Sequence, residues 1–201
     1  MTGDPRIPRP SVPQREEDAL QQRQETKASL RNTLKARRRA IDPAQKAAWD
    51  ERIGARVLAW WKANPHASLA VYWPLAGEPD LRSAYAEMAV AGVRLALPVV
   101  VARHAALGFA EWLPGEPTVL DQMGVAVPRD LRMVDRPPAL LVPCLGFNAL
   151  GYRVGYGGGF YDRTLAPRPR PSTVGIAYAC QMVEFTGDAH DVALDRVITE
   201  A

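Results

Sequence analysis

Only two cysteines, Cys144 and Cys180, occur in 201 residues, far apart and in no C-x-x-C pair. That excludes a disulfide framework and leaves two reduced thiols, as expected of a cytoplasmic protein. The three histidines, His66, His104 and His190, are scattered, which argues against a histidine-rich zinc site. No apolar stretch approaches the ~18–20 residues of a membrane span, and no hydrophobic leader is seen at the start, so a membrane partner is not expected. No Gly-Lys-Ser/Thr follows the glycine-rich segment, so it is not a Walker A loop, and it lacks the usual setting of the dinucleotide fingerprint. No Ser-His-Asp or Cys-His set offers a protein nucleophile.

Apolar residues make up 47% of the chain and charged residues 23%, the balance of an ordinary globular protein. The net charge of +3 is uneven: residues 1–40 carry +5 and the remainder −2. The body is therefore near neutral and does not demand a nucleic-acid partner. Arg37-Arg38-Arg39 reads either as a phosphate-backbone patch or as a solvated helix face.

Residues 1–15 hold Pro5, Pro8, Pro10 and Pro13 among polar residues, and are expected to form a disordered tail ahead of one α/β domain over 16–201. A first helix is expected over 16–40, with Leu20, Leu30 and Leu34 on its apolar side. Asp42-Pro43-Ala44-Gln45 starts a second helix, with Asp42 as cap and Pro43 in the first turn. Trp49, Ile53, Val57 and Trp60 make its apolar stripe. Strands are then expected over 68–73, 93–97, 107–112, 139–142, 173–178 and 196–199. Helices are expected from Asp80 to about residue 91, where Gly92 stops the run, and over 160–165. This alternation predicts an α/β fold whose largely parallel sheet is covered on both faces, with ligands outside the carboxyl ends of the strands.

The segment over 143–162 carries the most chemistry. It follows a buried strand, places Gly155, Gly157, Gly158 and Gly159 in close succession, embeds Arg153, and ends in Phe160-Tyr161-Asp162. Exposed amides in such a turn form an anion-binding concavity. An arginine for phosphate and a carboxylate for a metal complete the set a nucleoside triphosphate needs, although a glycine cluster alone can be a flexible turn. Lys27, Arg31 and Lys35 recur every four residues as a cationic column, either a solvated face or a clamp on phosphate from the opposite side. Glu78, between Gly77 and Pro79 beyond the first strand, is a turn acid or a carboxylate that meets substrate donors. Asp80 reads as a helix cap. Asp191 and Asp195 read as surface acids, and Asp195 gains a role only if the fold carries it to Asp162, where the two could face Mg²⁺. Cys144 reads as packing.

These residues resemble the 5-formyltetrahydrofolate cyclo-ligase family, also called methenyltetrahydrofolate synthetases. The family signature is roughly Pro-Gly-x-x-Phe-Asp-x-x-Gly-x-Arg-Leu-Gly-x-Gly-x-Gly-Tyr-Tyr-Asp. The likeness spans about residues 25–200. It includes Lys27-x-x-x-Arg31, Gly77-Glu78, Gly175-x-Ala177-Tyr178-x-x-Gln181 and the stretch from His190-Asp191 through Asp195 to Thr199-Glu200. Cys144, Asn148 and Phe160 depart from the Gly, Asp and Tyr usual at those places. The resemblance implies a three-layer α/β sandwich with a helical N-terminus. It implies that Lys27, Arg31, Arg153 and residues 155–159, Tyr156 among them, hold the ATP phosphates with Phe160, Tyr161 and Asp162 beside them. Asp162 and Asp195 would face Mg²⁺. Lys27, Arg153 and Tyr161 would act at the reacting groups, and Glu78 would contact the folate. Trp73, Phe109 and Trp112 are candidates to face the pterin ring.

The implied reaction is ATP-dependent cyclisation of 5-formyltetrahydrofolate to 5,10-methenyltetrahydrofolate by a monomer. A phosphate-ester enzyme of similar sheet, such as a sugar-phosphate isomerase or a CoA-handling protein, is the second reading. A non-catalytic nucleotide- or RNA-binding module is the third. The second needs no folate-dependent ADP release, and the third predicts strongly salt-dependent RNA affinity without turnover.

Overall fold

The computed structural model describes residues 14–201, with side chains from Lys27 onward. The expectations for the proline-rich start and for Leu20 lie outside those residues.

Helix α1 (Gln14–Arg39) is followed by α2 (Pro43–Ala63), which starts as its sequence dictates. Asp42 Oδ1 accepts from the amides of Ala44 and Gln45 at 2.9 and 3.0 Å, and Pro43 occupies a first-turn position that needs no amide donor. The Ile53, Val57 and Trp60 stripe is buried. Strand β1 (Ser68–Ala70) leads to α3 (Arg82–Val90), then β2 (Arg94–Val99) and β3 (Gly108–Glu111). Asp80 does not occupy the cap position of α3, which falls to Leu81. It serves the helix start by accepting from the Arg82 amide at 3.1 Å and pairing with the Arg82 guanidinium.

Next come the hairpin β4 (Thr118–Leu120) and β5 (Ala126–Pro128), then β6 (Met133–Val134) and β7 (Ala139–Pro143). A second hairpin, β8 (Gly146–Phe147) and β9 (Arg153–Val154), precedes α4 (Phe160–Leu165), β10 (Ser172–Ile176), a 3₁₀ turn over Ala179–Gln181 and β11 (Arg196–Ile198). Among the described residues no helix is long and apolar enough to cross a membrane.

Seven strands form one sheet in the order β11-β10-β7-β1-β2-β3-β6. The first five are mutually parallel, and β3 and β6 add an antiparallel edge. Alternation along β7 shows the layering. Ala139 and Leu141 join Ile53, Val57, Tyr85 and Met88 of α2 and α3 in one core, while Leu140 and Val142 join Leu165, Val192 and Leu194 on the opposite face. The sandwich is thus asymmetric: the 21-residue α2 and the nine-residue α3 cover one face, and a six-residue helix with a C-terminal loop covers the other. Among the described residues, α1 contributes to neither core. Leu34 and Leu30 pack with Leu145, Val154, Val183 and Phe185, and buried Gln181 donates from Nε2 to the carbonyls of Leu34 and Leu145 at 3.2 and 2.6 Å. That places α1 across the end of the sheet, above the β8–β9 hairpin.

From β1 the chain steps outward to β2 on one side. From β7, the other neighbour of β1, it steps through β10 to β11 on the opposite side. Loops leaving β1 and β7 therefore part company, and a crevice opens at their carboxyl ends, where ligands settle in open α/β sheets.

Candidate functional site

A cavity of about 560 Å³ occupies that crevice, lined by segments that follow β1, β2, β7 and β10 together with α1. One end is polar, with Lys27, Arg31, the glycine turn over 155–159 and Asp162. The other is apolar, with Trp73, Pro98, Val100, Leu107, Met123 and Val125.

Arg31 joins the two walls of the polar end. Its Nε donates to the carbonyl of Gly155 at 3.0 Å, and its guanidinium lies beneath Gly157, where an added Cβ would sit 3.5 Å from Cζ. Gly157 has φ +96°, in the region that side chains disfavour, so glycine is required there by backbone conformation as well as by proximity. Gly159, with φ +63°, turns the chain into α4. Phe160 stacks with Arg163, which donates to the carbonyls of Gly158 and Ala105 and fixes the far side of the turn.

Lys27 lies one helical turn before Arg31 and is paired with Asp188 and, at 3.2 Å, with Asp191. Burial works against its charge, but the bonds to Asp188 and Asp191 outweigh that cost and hold its pKa above the ordinary lysine value. Arg153 is buried on β9 and spends its guanidinium on the protein, donating to the carbonyl of Val192 at 2.9 Å and to Asp162 Oδ1 at 2.8 Å. The amide of Val192 also reaches Asp162 Oδ1, at 3.2 Å. Arg153 therefore laces the glycine turn to the 188–192 loop while its guanidinium carbon lies over Tyr161, 5.8 Å from the ring centroid. Burial raises the Tyr161 pKa, and the Glu78 charge adds to the effect while Arg153 opposes it. The phenol is thus neutral at working pH.

Glu78 is buried in the turn after β1. Its Oε2 accepts from the Leu75 amide at 2.8 Å and its Oε1 from the Tyr156 hydroxyl. Trp73 lines the cavity and meets Trp112 edge-on, with centroids 5.7 Å apart. Trp112 and Phe109 are core residues and do not line it, so Trp73 alone of the three aromatic candidates reaches the site.

Asp195 corrects the expectation of a carboxylate pair with Asp162. Its Oδ2 accepts from the amide and hydroxyl of Thr173 at 2.7 and 2.9 Å, at the amino end of β10 and away from the cavity. It sits just before β11, parallel to β10, so the topology carries it to the opposite edge of the sheet. The acids brought to the same end of the cavity as Asp162 are instead Asp191, which had read as a surface group, and Asp188. The arginine run also needs correction. Arg38 is buried against the Glu78 turn, and Arg37 donates to the carbonyl of Cys180 at 2.8 Å. Cys144 is packing, as expected: burial, partly opposed by Arg153, pushes its thiol up to about 12.

Sequence reasoning missed the β4–β5 hairpin, which sends Asp121, Met123 and Val125 to the cavity. Asp121 Oδ1 accepts from the amides of Met123 and Val125, and Gly124 takes φ +73°. Asp followed three residues later by Gly, between apolar pairs, was the available signal.

Magnesium prefers oxygen donors and commonly takes one or two carboxylates beside phosphate oxygens. Among the described residues no group of three or more metal-ligating side chains gathers. Asp162, Asp188 and Asp191 line the polar end and are the carboxylates there that could face such an ion.

Comparison with known proteins identifies the family and the fold. The pattern of the 5-formyltetrahydrofolate cyclo-ligase family matches residues 23–200. A 5-formyltetrahydrofolate cyclo-ligase from Escherichia coli (strain K12) is 31% identical over 174 residues, covering 83% of this chain and 96% of that protein. The solved structure of a 5,10-methenyltetrahydrofolate synthetase from Aquifex aeolicus superposes with a TM-score of 0.74 at 25% identity, over 87% of this chain and 89% of that one. One from Mycoplasma pneumoniae gives 0.70 at 26% identity, over 87% and 99%.

Proposed function

Since the chain belongs to the 5-formyltetrahydrofolate cyclo-ligase family, we propose that its cavity binds ATP at the polar end and 5-formyltetrahydrofolate at the apolar end, and closes the folate to 5,10-methenyltetrahydrofolate with release of ADP and phosphate. The observation that carries this reading is the Arg31–Gly155 bond, which sets helix cations and glycine-turn amides around one space.

A formyl group on nitrogen is a poor electrophile because the nitrogen lone pair feeds its carbonyl. Transfer of the γ-phosphoryl group to the formyl oxygen breaks the bond to ADP and turns that oxygen into a leaving group. The lone pair of N10 then attacks the formyl carbon, N10 loses its proton, and phosphate departs with the C–O electrons. The work of the protein is alignment and charge neutralisation.

Arg31 and the amides over 155–159 bind the phosphate oxygens. Lys27 reaches them by exchanging its carboxylate partners for phosphate. Arg153 acts by holding the turn and Asp162 in place, with Tyr161 packed beside it. Glu78 accepts from donor groups of the pterin, and Trp73 supplies an apolar wall. Mg²⁺ would supply charge neutralisation at the phosphates; Asp162 and Asp191 are the side chains that would hold it, whereas Asp195 is engaged with Thr173.

The test mixes the protein with MgATP and 5-formyltetrahydrofolate and follows the near-ultraviolet absorption of the methenyl product beside ADP release. Product and ADP should appear together, each dependent on the folate. ADP release indifferent to folate, or folded protein without product, overturns the reading.

A further inference from the structure

The middle arginine of the Arg37-Arg38-Arg39 run has no place in the scheme above. Arg37 and Arg39 are exposed, whereas Arg38, one turn beyond Leu34 on the inward side of α1, is only 7% exposed. Its Nη2 donates to the carbonyl of Ala76 at 3.2 Å, and its Nη1 lies 3.8 Å from Glu78 Oε1. Nη1 is buried with no hydrogen-bond partner among the described residues. The guanidinium carbon is 5.8 Å from the centroid of the Tyr156 ring, whose hydroxyl donates to the same Oε1. Gly77, at φ +79°, presses its backbone onto the guanidinium; a Cβ there would sit 3.3 Å from Nε.

Glu78 is 2% exposed, and a buried carboxylate needs compensation by charge and by hydrogen bonds. The Leu75 amide and the Tyr156 hydroxyl are neutral donors. Among the ion pairs of the described residues, Arg38 is the one cation paired with Glu78. Arg38 itself does not line the cavity. It touches the turn that carries Glu78 and the ring that Tyr156 extends from the glycine turn, so one side chain on α1 spans both.

We infer that Arg38 is a positioning residue for the folate end of the site: it holds the Glu78 carboxylate aimed and braces Tyr156 against it. The inference rests on the reading that Glu78 meets the folate. Arg38 meets the glycine turn only through the Tyr156 ring and is not among the cavity-lining cations, so its loss should register mainly on the folate and little on the nucleotide.

Steady-state kinetics of Arg38→Gln, Arg38→Met and Arg38→Lys, with Glu78→Gln and the Arg38→Gln/Glu78→Gln pair, test it. The two neutral variants should raise the KM for 5-formyltetrahydrofolate about tenfold while the KM for ATP stays within about twofold, the pattern of lost substrate binding at one end. Arg38→Lys keeps the charge without the fork and should raise the folate KM about threefold, a partial rescue. If Arg38 acts through Glu78, the double variant should lie within about twofold of Glu78→Gln alone. A merely structural role would instead raise both KM values or add to the Glu78→Gln effect. Should the neutral variants not fold, Arg38→Lys decides: a folate KM equal to that of the unmodified protein overturns the inference. A Glu78→Gln variant with unchanged folate KM overturns the reading of Glu78 itself, an outcome distinct from failure at Arg38 alone.

Discussion

Lys27 and Arg31 stand one turn apart on α1, yet they are held by opposite means. Arg31 is pinned by a backbone carbonyl of the glycine turn, whereas Lys27 is held by the carboxylates of Asp188 and Asp191. Arg153 is different again, a buried cation bonded to Val192 and Asp162. Replacing Lys27 by Ala removes a phosphate-directed charge. Replacing Arg153 by Ala unlaces the turn from the 188–192 loop. Lys27→Ala should lower kcat by about 10²-fold, the scale of one lost transition-state donor, and Arg153→Ala should lower it through the displaced turn and Asp162, both measured by initial rates at saturating substrates. The two aspartates near the C-terminus should behave differently. Asp191→Asn should raise the Mg²⁺ concentration needed for half-maximal rate. Asp195→Asn should leave it unchanged and lower stability by about 1–2 kcal/mol through the lost bonds to Thr173, read from urea unfolding. That contrast marks the limit of the sequence at this scale. Charge type and spacing pointed to Lys27, Arg31, Arg153, Asp162 and Glu78, all of which line the cavity. Nothing local separates Asp191 from Asp195, since their difference is which edge of the sheet each one meets.

Strongly periodic or capped elements were legible because their signals are local. Asp42-Pro43 starts α2, and the buried run of β7 and the helix over Phe160–Leu165 fall where expected. The short pairings were not, because two- and three-residue strands such as β6, β8 and β9 are defined by partners rather than by their own residues. The glycine segment illustrates this. Its first half is a hairpin, not a loop, closed by Asn148, whose Oδ1 accepts from the amides of Leu150 and Tyr152. Asn is as capable of that turn as the Asp usual in the family. At the second half, Gly157→Ala forces a side chain into a left-handed backbone against Arg31. It should cost about 1 kcal/mol of stability and raise the KM for ATP at least tenfold, with the folate KM little changed. Asp42→Ala is the control: loss of the α2 cap should cost about 1 kcal/mol and leave kinetics untouched, because that helix start lies remote from the cavity.

Across the whole molecule, acidic groups that burial keeps protonated make stability sensitive to base. The Cys144 thiol is pushed up to about 12 by burial, and burial likewise raises Tyr156, Tyr161 and Tyr178. In the unfolded chain thiols ionise from about 8.5 and phenols from about 10. Above those values the unfolded state holds fewer protons than the native one, so stability falls as pH rises until the native groups ionise too. The urea midpoint should accordingly be lower at pH 10.5 than at pH 8, with Cys144 alone contributing on the order of 2–3 kcal/mol. The docking of α1 has a different consequence. This helix brings Lys27 and Arg31 to the polar end of the cavity, the nucleotide end in the proposed reading, and its described side chains tether it through Leu34 and Gln181 to a hairpin rather than to either sheet core. Its seat and its ligand are then thermodynamically linked, each tightening the other. Saturating nucleotide should slow amide hydrogen exchange along residues 30–38 well before it alters exchange in α2 or α3.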